Sequence, residues 1–239
     1  MKYALLTAAV AGMAIGAAGA RGADTTVTGG FMPGHGDPQN NFTVATTTDG
    51  TVELGLSAQQ RFTAPFVSDD NAGTYFAVVG GHGIGSLWNF DFSIATTDGT
   101  SLSSKNLTYS IDVTSSNSDF SAEINPLFLP DNYPGGSAVP GSLGVGQEVQ
   151  NSENLNFGDL NLAHTSGLFT SHTGTFDFNE AENYTFTLTA RDAAHQVVAT
   201  DSITVDVVPT PLPSAAGMGL AVVGGLGVMG LLRKRASAV

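Results

Sequence analysis

Apolar side chains fall on every second position in five separate stretches of this chain, while helical spacing is scarce. Val52, Leu54 and Leu56 alternate with Glu53, Gly55 and Ser57. Trp88, Phe90, Phe92 and Ile94 alternate with Asn89, Asp91, Ser93 and Ala95. Leu107, Tyr109, Ile111 and Val113 alternate with Thr108, Ser110, Asp112 and Thr114. Tyr184, Phe186, Leu188 and Ala190 alternate with Thr185, Thr187 and Thr189, and Ile203, Val205 and Val207 close the series. A side chain in a strand changes face at each residue, so every stretch acquires one apolar and one polar face. The pattern predicts an all-β body of antiparallel sheets, with apolar faces on a core and polar faces in water. Threonine suits the wet face because its branched Cβ favours extended backbone.

The punctuation agrees. Asp49-Gly50, Asp98-Gly99 and Pro134-Gly135-Gly136 are turn signals. The pieces Ala45 to Thr51 and Ala95 to Thr100 share Thr-Thr-Asp-Gly-Thr, and nothing longer repeats around them. They read as two similar turns rather than a duplicated domain. Leu155 and Phe157 are out of phase with Leu160 and Leu162, which places a β-bulge at Gly158-Asp159. Residues 126–150, with Pro126, Pro130, Pro134 and Pro140, form an irregular excursion.

From Asn183 the chain runs Asn-Tyr-Thr-Phe-Thr-Leu-Thr-Ala-Arg-Asp, turns, and enters a second Val/Ile/Thr strand. This resembles the last hairpin of immunoglobulin-like bacterial surface domains. The resemblance implies an antiparallel β-sandwich, with Tyr184 as the hydrogen-bonded tyrosine near the start of the penultimate strand. A jelly roll is the alternative. With no cysteine in the chain, no disulfide can staple this body and no thiol chemistry is available.

All 21 acidic residues lie between Asp24 and Asp206, where Arg61, Lys105 and Arg191 are the only basic ones, so this stretch carries −18. Such a body repels phosphate backbones, which excludes nucleic acid as an expected partner. The remaining basic residues, Lys2, Arg21, Arg233, Lys234 and Arg235, stand at the two ends.

Those ends read as addresses. Lys2, the apolar run Tyr3 to Ile15 and the small residues Ala18-x-Ala20 make a secretory signal peptide over residues 1–20, with cleavage after Ala20. The body is then 21–207. Residues 208–214 hold Pro209, Pro211 and Pro213, and Ala215 to Leu232 is 18 residues without a charge. As a helix that segment spans about 27 Å, just enough for a single transmembrane crossing. Arg233, Lys234 and Arg235 follow as a basic stop within residues 233–239, which keeps that end cytoplasmic and the body outside.

A proline-rich stalk, a short glycine-rich helix and a basic stop resemble the PEP-CTERM sorting signal of bacteria. The motif here is Val208-Pro209-Thr210-Pro211, with Thr210 where that family has glutamate. The resemblance implies an exosortase-type membrane protease as partner. It also implies a place at the cell surface or in an extracellular, exopolysaccharide-bearing matrix. The alternative reading of the same tail is a plain single-pass anchor.

Chemistry is sparse. His35, His82, His164, His172 and His195 show no metal-binding spacing, and glycine flanks mark His35 and His82 as turn residues. No G-x-S-x-G elbow is present. Among inorganic ligands calcium fits best, at the oxygen-rich triplet Asp69-Asp70-Asn71. Trp88 is the single tryptophan, and its phase with Phe90, Phe92 and Ile94 places it in the core. The expectation is a non-enzymatic surface or matrix protein without a resident cofactor. A carbohydrate-binding module, which needs an exposed aromatic strip, and a secreted hydrolase, which needs convergent acids in a cleft, are the alternatives.

Overall fold

The computed structural model describes residues 25–31, 41–61, 67–82, 85–117, 119–128, 146–155 and 169–209. The signal segment, the proposed bulge at Gly158-Asp159, most of the 126–150 excursion and everything after Pro209 lie outside them. Thirteen strands are described: β1 Thr43–Thr46, β2 Val52–Gln60, β3 Ser68–Asp69, β4 Thr74–Val78, β5 Gly81–His82, β6 Gly85–Ser86, β7 Trp88–Thr96, β8 Thr108–Ser115, β9 Ser121–Ile124, β10 Glu148–Glu153, β11 Phe169–Thr173, β12 Glu182–Arg191 and β13 Val197–Val208. The only helical pieces among the described residues are two short 3-10 turns, Leu102–Lys105 and Pro126–Phe128. The fold is all-β.

Two sheets carry the architecture. One has the order β1-β2-β7-β10 and the other β11-β9-β8-β12-β13-β4-β3, while β5 and β6 form a small ribbon. Every strand that the alternation marks is present, and Leu107 lies one residue before its strand. The pairing departs from a purely antiparallel plan at one place: β13 runs parallel to β4, from Thr204 beside Thr74 to Val208 beside Val78. A parallel neighbour cannot be reached through a tight turn. β4 and β13 are accordingly far apart in sequence.

The apolar faces of the two sheets share one core. Val52, Leu54, Leu56, Trp88, Phe90, Phe92 and Ile94 come from the first sheet, and Ile111, Val113, Tyr184, Phe186, Leu188, Ile203 and Val205 from the second. Phe90 and Phe186 stack between them with ring centroids 4.8 Å apart. Trp88 stands 5.9 Å from Tyr184 and 6.1 Å from Phe186. Full burial of each such side chain contributes roughly 1.5–3 kcal/mol. At the margin of the core, Thr43 Oγ1 on β1 donates to Asp201 Oδ2 on β13 at 2.9 Å, tying one sheet to the other.

The two Thr-Thr-Asp-Gly-Thr turns lie side by side. Asp49 accepts from Thr51 N and Oγ1, and Asp98 accepts from Thr100 N and Oγ1. Gly50 and Gly99 take the left-handed φ of 69° and 75° that such turns demand. Thr97 Oγ1 then donates to Gly50 O at 2.5 Å, joining the second turn to the first.

Candidate functional site

The first sheet does not leave its polar face in water. The alternation assigned Asn89, Asp91 and Ser93 to solvent, yet β7 is buried on both faces along its whole length. Neighbouring strands continue this layer. Ser57 and Gln59 of β2, and Glu148, Gln150 and Ser152 of β10, are all 5 % exposed or less. Pairing sets them in rows: Ser57 and Ser152 flank Asp91, Gly55 and Gln150 flank Ser93, and Glu53 and Glu148 flank Ala95.

Residues 25–31 cover one end of this layer. Gly55 makes that possible, because a Cβ there would lie 2.5 Å from Val27 Cγ1. Thr28 N and Oγ1 donate to the two carboxylate oxygens of Glu53, at 2.6 and 3.0 Å. Gln150 Nε2 donates to Gly30 O at 3.2 Å. Phe31 packs on Phe42 with ring centroids 4.8 Å apart.

A hydrogen-bonded net holds the rest. Gln59 Nε2 donates to Asp91 Oδ1 at 3.0 Å and to Ser152 Oγ at 2.6 Å. Asn89 Nδ2 donates to Ser152 Oγ at 3.1 Å, and Asn154 Nδ2 donates to Asn89 Oδ1 at 3.0 Å. Burial pushes the Asp91 carboxyl up to about 8, against the lowering influence of Ser152 and Gln59. Burial likewise raises Glu148 to about 7, opposed by Gln150 and reinforced by the charge of Glu53. Carboxyls shifted this far mark a functional-site candidate. Their chemistry is not that of a glycosidase pair. Asp91 lies opposite Ser152, four residues along β10 from Glu148, so the two carboxyls are offset by about 13 Å along the strand. Such pairs need roughly 5–9.5 Å.

The residues singled out in the sequence are scattered. Asp69, Asp70 and Asn71 form the tight turn from β3 to β4. Asp69 accepts from Asn71 N and from Asn41 Nδ2, Asp70 accepts from Ala72 N and Thr74 N, and Asn71 has a φ of 56°. Hydrogen bonds from Thr74 and Ala72 hold the Asp70 carboxyl below its ordinary value. Among the described residues no group of three or more acidic, histidine or cysteine side chains is placed to hold a metal. Trp88 is 2 % exposed, inside the core. Tyr184 is buried, and its hydroxyl donates to Glu182 Oε2 at 3.0 Å. Val208 ends β13 and Pro209 follows it, exposed. Ala18, Ala20, Thr210, Pro211, Arg233, Lys234 and Arg235 lie outside the described residues.

A separate cleft of about 310 Å³ opens at one end of the sheets, lined by Thr48, Asp49, Lys105, Leu107, Asp192 and Val198 among others. Its one lysine is engaged, since Lys105 pairs with Asp98.

Reading the sequence missed Gln59, Asp91, Ser93 and Glu148 as a set. Period-two alternation reports that a face is polar, and it cannot tell a face in water from one that is covered. The available signal was a carboxylate at the middle of the most aromatic strand, between Phe90 and Phe92.

Comparison with known proteins gives no match, whether to a family model, a curated protein or a solved structure.

Proposed function

We propose that this chain is an exported cell-surface or extracellular-matrix protein, structural or adhesive rather than enzymatic, sorted through its PEP-CTERM-like tail. The observation that carries the reading is the order of features after the body. β13 ends at Val208 with its carbonyl still accepting from Val79 N at 2.9 Å, and the chain leaves the sheet at Pro209. Proline cannot donate to a ladder, so the strand stops at Val208, the first residue of the motif. Thr210-Pro211, the uncharged run Ala215 to Leu232 and Arg233-Lys234-Arg235 follow at once. A protease at the membrane would meet a motif that begins on the last residue of the body's last described strand. The strongly acidic body and the signal-like first twenty residues fit the same destination.

The body reads as an immunoglobulin-like sandwich. In such folds the C, F and G strands share one sheet with C′, and A, B and E lie in the other. The order β9-β8-β12-β13 corresponds to C′-C-F-G, and β2-β7-β10 to A-B-E. Tyr184 near the start of β12 stands where such folds carry the tyrosine of the F strand, although its hydroxyl donates to the side chain of Glu182 rather than to upstream backbone. This correspondence favours the reading over a jelly roll. The buried position of Trp88 removes the best candidate for a sugar-stacking platform, which weighs against a carbohydrate-binding module.

The test is the intact mass and cell fraction of the protein made in its host. A released chain lacking about the first twenty residues and everything beyond the proline motif supports the proposal. A membrane-bound chain that retains Arg233 to Val239 overturns exosortase-type sorting.

A further inference from the structure

Gln59 of β2 and Ser152 of β10 are not on neighbouring strands, since β7 lies between them, yet their side chains meet. Gln59 Nε2 donates to Ser152 Oγ at 2.6 Å and to Asp91 Oδ1 on β7 at 3.0 Å. Asn89 Nδ2 donates to the same Oγ at 3.1 Å. A serine hydroxyl has two acceptor sites and one proton. With both acceptor sites of Ser152 filled, its proton is left for Asp91, whose carboxyl is raised by burial and lowered by hydrogen bonding to Ser152 and to Gln59. All three residues are 1 % exposed or less. Gln59 Oε1 and Asp91 Oδ2 nevertheless accept no hydrogen bond. Buried polar atoms normally find a partner, and an exception asks for a functional reason. Here the exceptions fall on an amide and a carboxyl that flank one hydroxyl. Ser93 Oγ and Glu148 Oε2 are unpartnered as well, but they lie one and two rows further along the face and take no part.

We propose that Ser152 Oγ and Gln59 Cδ join in an autocatalytic ester, a covalent staple from β2 to β10 across β7, with Asp91 as the proton carrier. Cδ lies one C–N bond of about 1.3 Å beyond Nε2, so Oγ stands within about 3.9 Å of it. Atoms poised to react are about 3–3.5 Å apart. The last torsion of a glutamine is broad enough to turn its carbonyl carbon toward the hydroxyl. Oγ attacks Cδ as its proton passes to Asp91. Asp91 hands that proton to the amide nitrogen, the C–N bond breaks, and ammonia leaves. One amide and one hydroxyl thus become one ester and one ammonia, with no oxidant and no other reactant. A carboxyl raised by burial is a better base than an exposed one. Burial also keeps water from the ester once it has formed. A chain with no cysteine has no disulfide to constrain its unfolded state, and an ester between positions 59 and 152 closes a long loop in the same way. The inference concerns the body alone and does not rest on the sorting tail.

The experiment is mass spectrometry of the full-length chain, purified, denatured and digested with trypsin. Trypsin cuts after Arg21, Arg61, Lys105 and Arg191, so Gln59 and Ser152 fall in different peptides, 22–61 and 106–191. These two should appear as one species that weighs their sum less one ammonia, and hydroxylamine, which cleaves esters, should separate them. Ser152→Ala and Asp91→Asn should each give the two peptides apart and at full mass. Ser57→Ala, which changes the other serine beside Asp91, should leave them joined. The unsubstituted chain decides the matter even where a variant does not fold: two separate peptides from it overturn the proposal. So does a joined species that survives Ser152→Ala or Asp91→Asn.

Discussion

Phe90 of one sheet and Phe186 of the other stack at 4.8 Å with their rings 27° apart, the closest of the aromatic pairs that join the two layers. Both side chains are fully buried. Phe186→Ala should therefore destabilise the body by about 3–5 kcal/mol, the usual effect of an aromatic-to-alanine change in a core. Urea unfolding followed by the emission of Trp88 measures this directly, because the only tryptophan sits 6.1 Å from Phe186. A midpoint unchanged in the variant would mean that the sheets are held elsewhere.

Gly55 and Val27 make a second specific prediction. A methyl group at position 55 would meet Val27 Cγ1 at 2.5 Å and Phe42 Cδ1 at 3.3 Å. Gly55→Ala should push residues 25–31 off the sheet and cost about 1–3 kcal/mol, as overpacking does. Limited proteolysis should then cut the N-terminal segment faster. The double variant Gly55→Ala with Val27→Ala should recover most of the protection, since it removes the colliding methyls.

Glu148 gives a pH dependence with a definite sign. Its carboxyl is raised from 4.5 to about 7 by burial, so the folded chain holds a proton that the unfolded chain has released between those values. Stability contributed by that proton is complete below about pH 4.5 and is lost as pH rises to about 7. Glu148→Gln should flatten this decline and raise stability at pH 7 and above by ~1–2 kcal/mol, allowing for solvent screening. Melting midpoints of both chains across pH 5–8 provide the comparison, and parallel curves would refute the assignment.

The tail is testable by charge and by motif. Changing Arg233, Lys234 and Arg235 together to alanine removes the basic stop, and should reduce the fraction held at the membrane before processing. Changing Pro209 and Pro211 to alanine should leave the tail attached, seen as a larger mass in the membrane fraction. Release unaffected by either change would point to another route.

The strands and the core were legible because the alternation is strict: Trp88, Phe90, Phe92 and Ile94 all face inward as their phase requires. Tyr184 is buried near the start of β12, and its hydroxyl donates to the side chain of Glu182. The polar half of β7 was misassigned, because Asn89, Asp91 and Ser93 alternate in the same way whether water or protein lies over them. The parallel pairing of β4 with β13 was also hidden, since no local pattern records which distant strand lies alongside. Asp69 and Asp70 were singled out as an oxygen-rich triplet with Asn71, and what the sequence did not show is that one oxygen of each accepts from the backbone of its own turn.

The place where the chain leaves the body has a mechanical meaning. Any pull applied at Pro209 runs lengthwise along β13, which is laddered to β12 on one side and to β4 on the other. Ladder bonds lie across the strand, so a lengthwise force loads many of them together in shear rather than one after another as in a zipper. The five paired positions from Thr204 to Val208 on the β4 side would have to fail nearly at once before the strand could slip. A force along β13 is thus shared across the ladders on both of its sides.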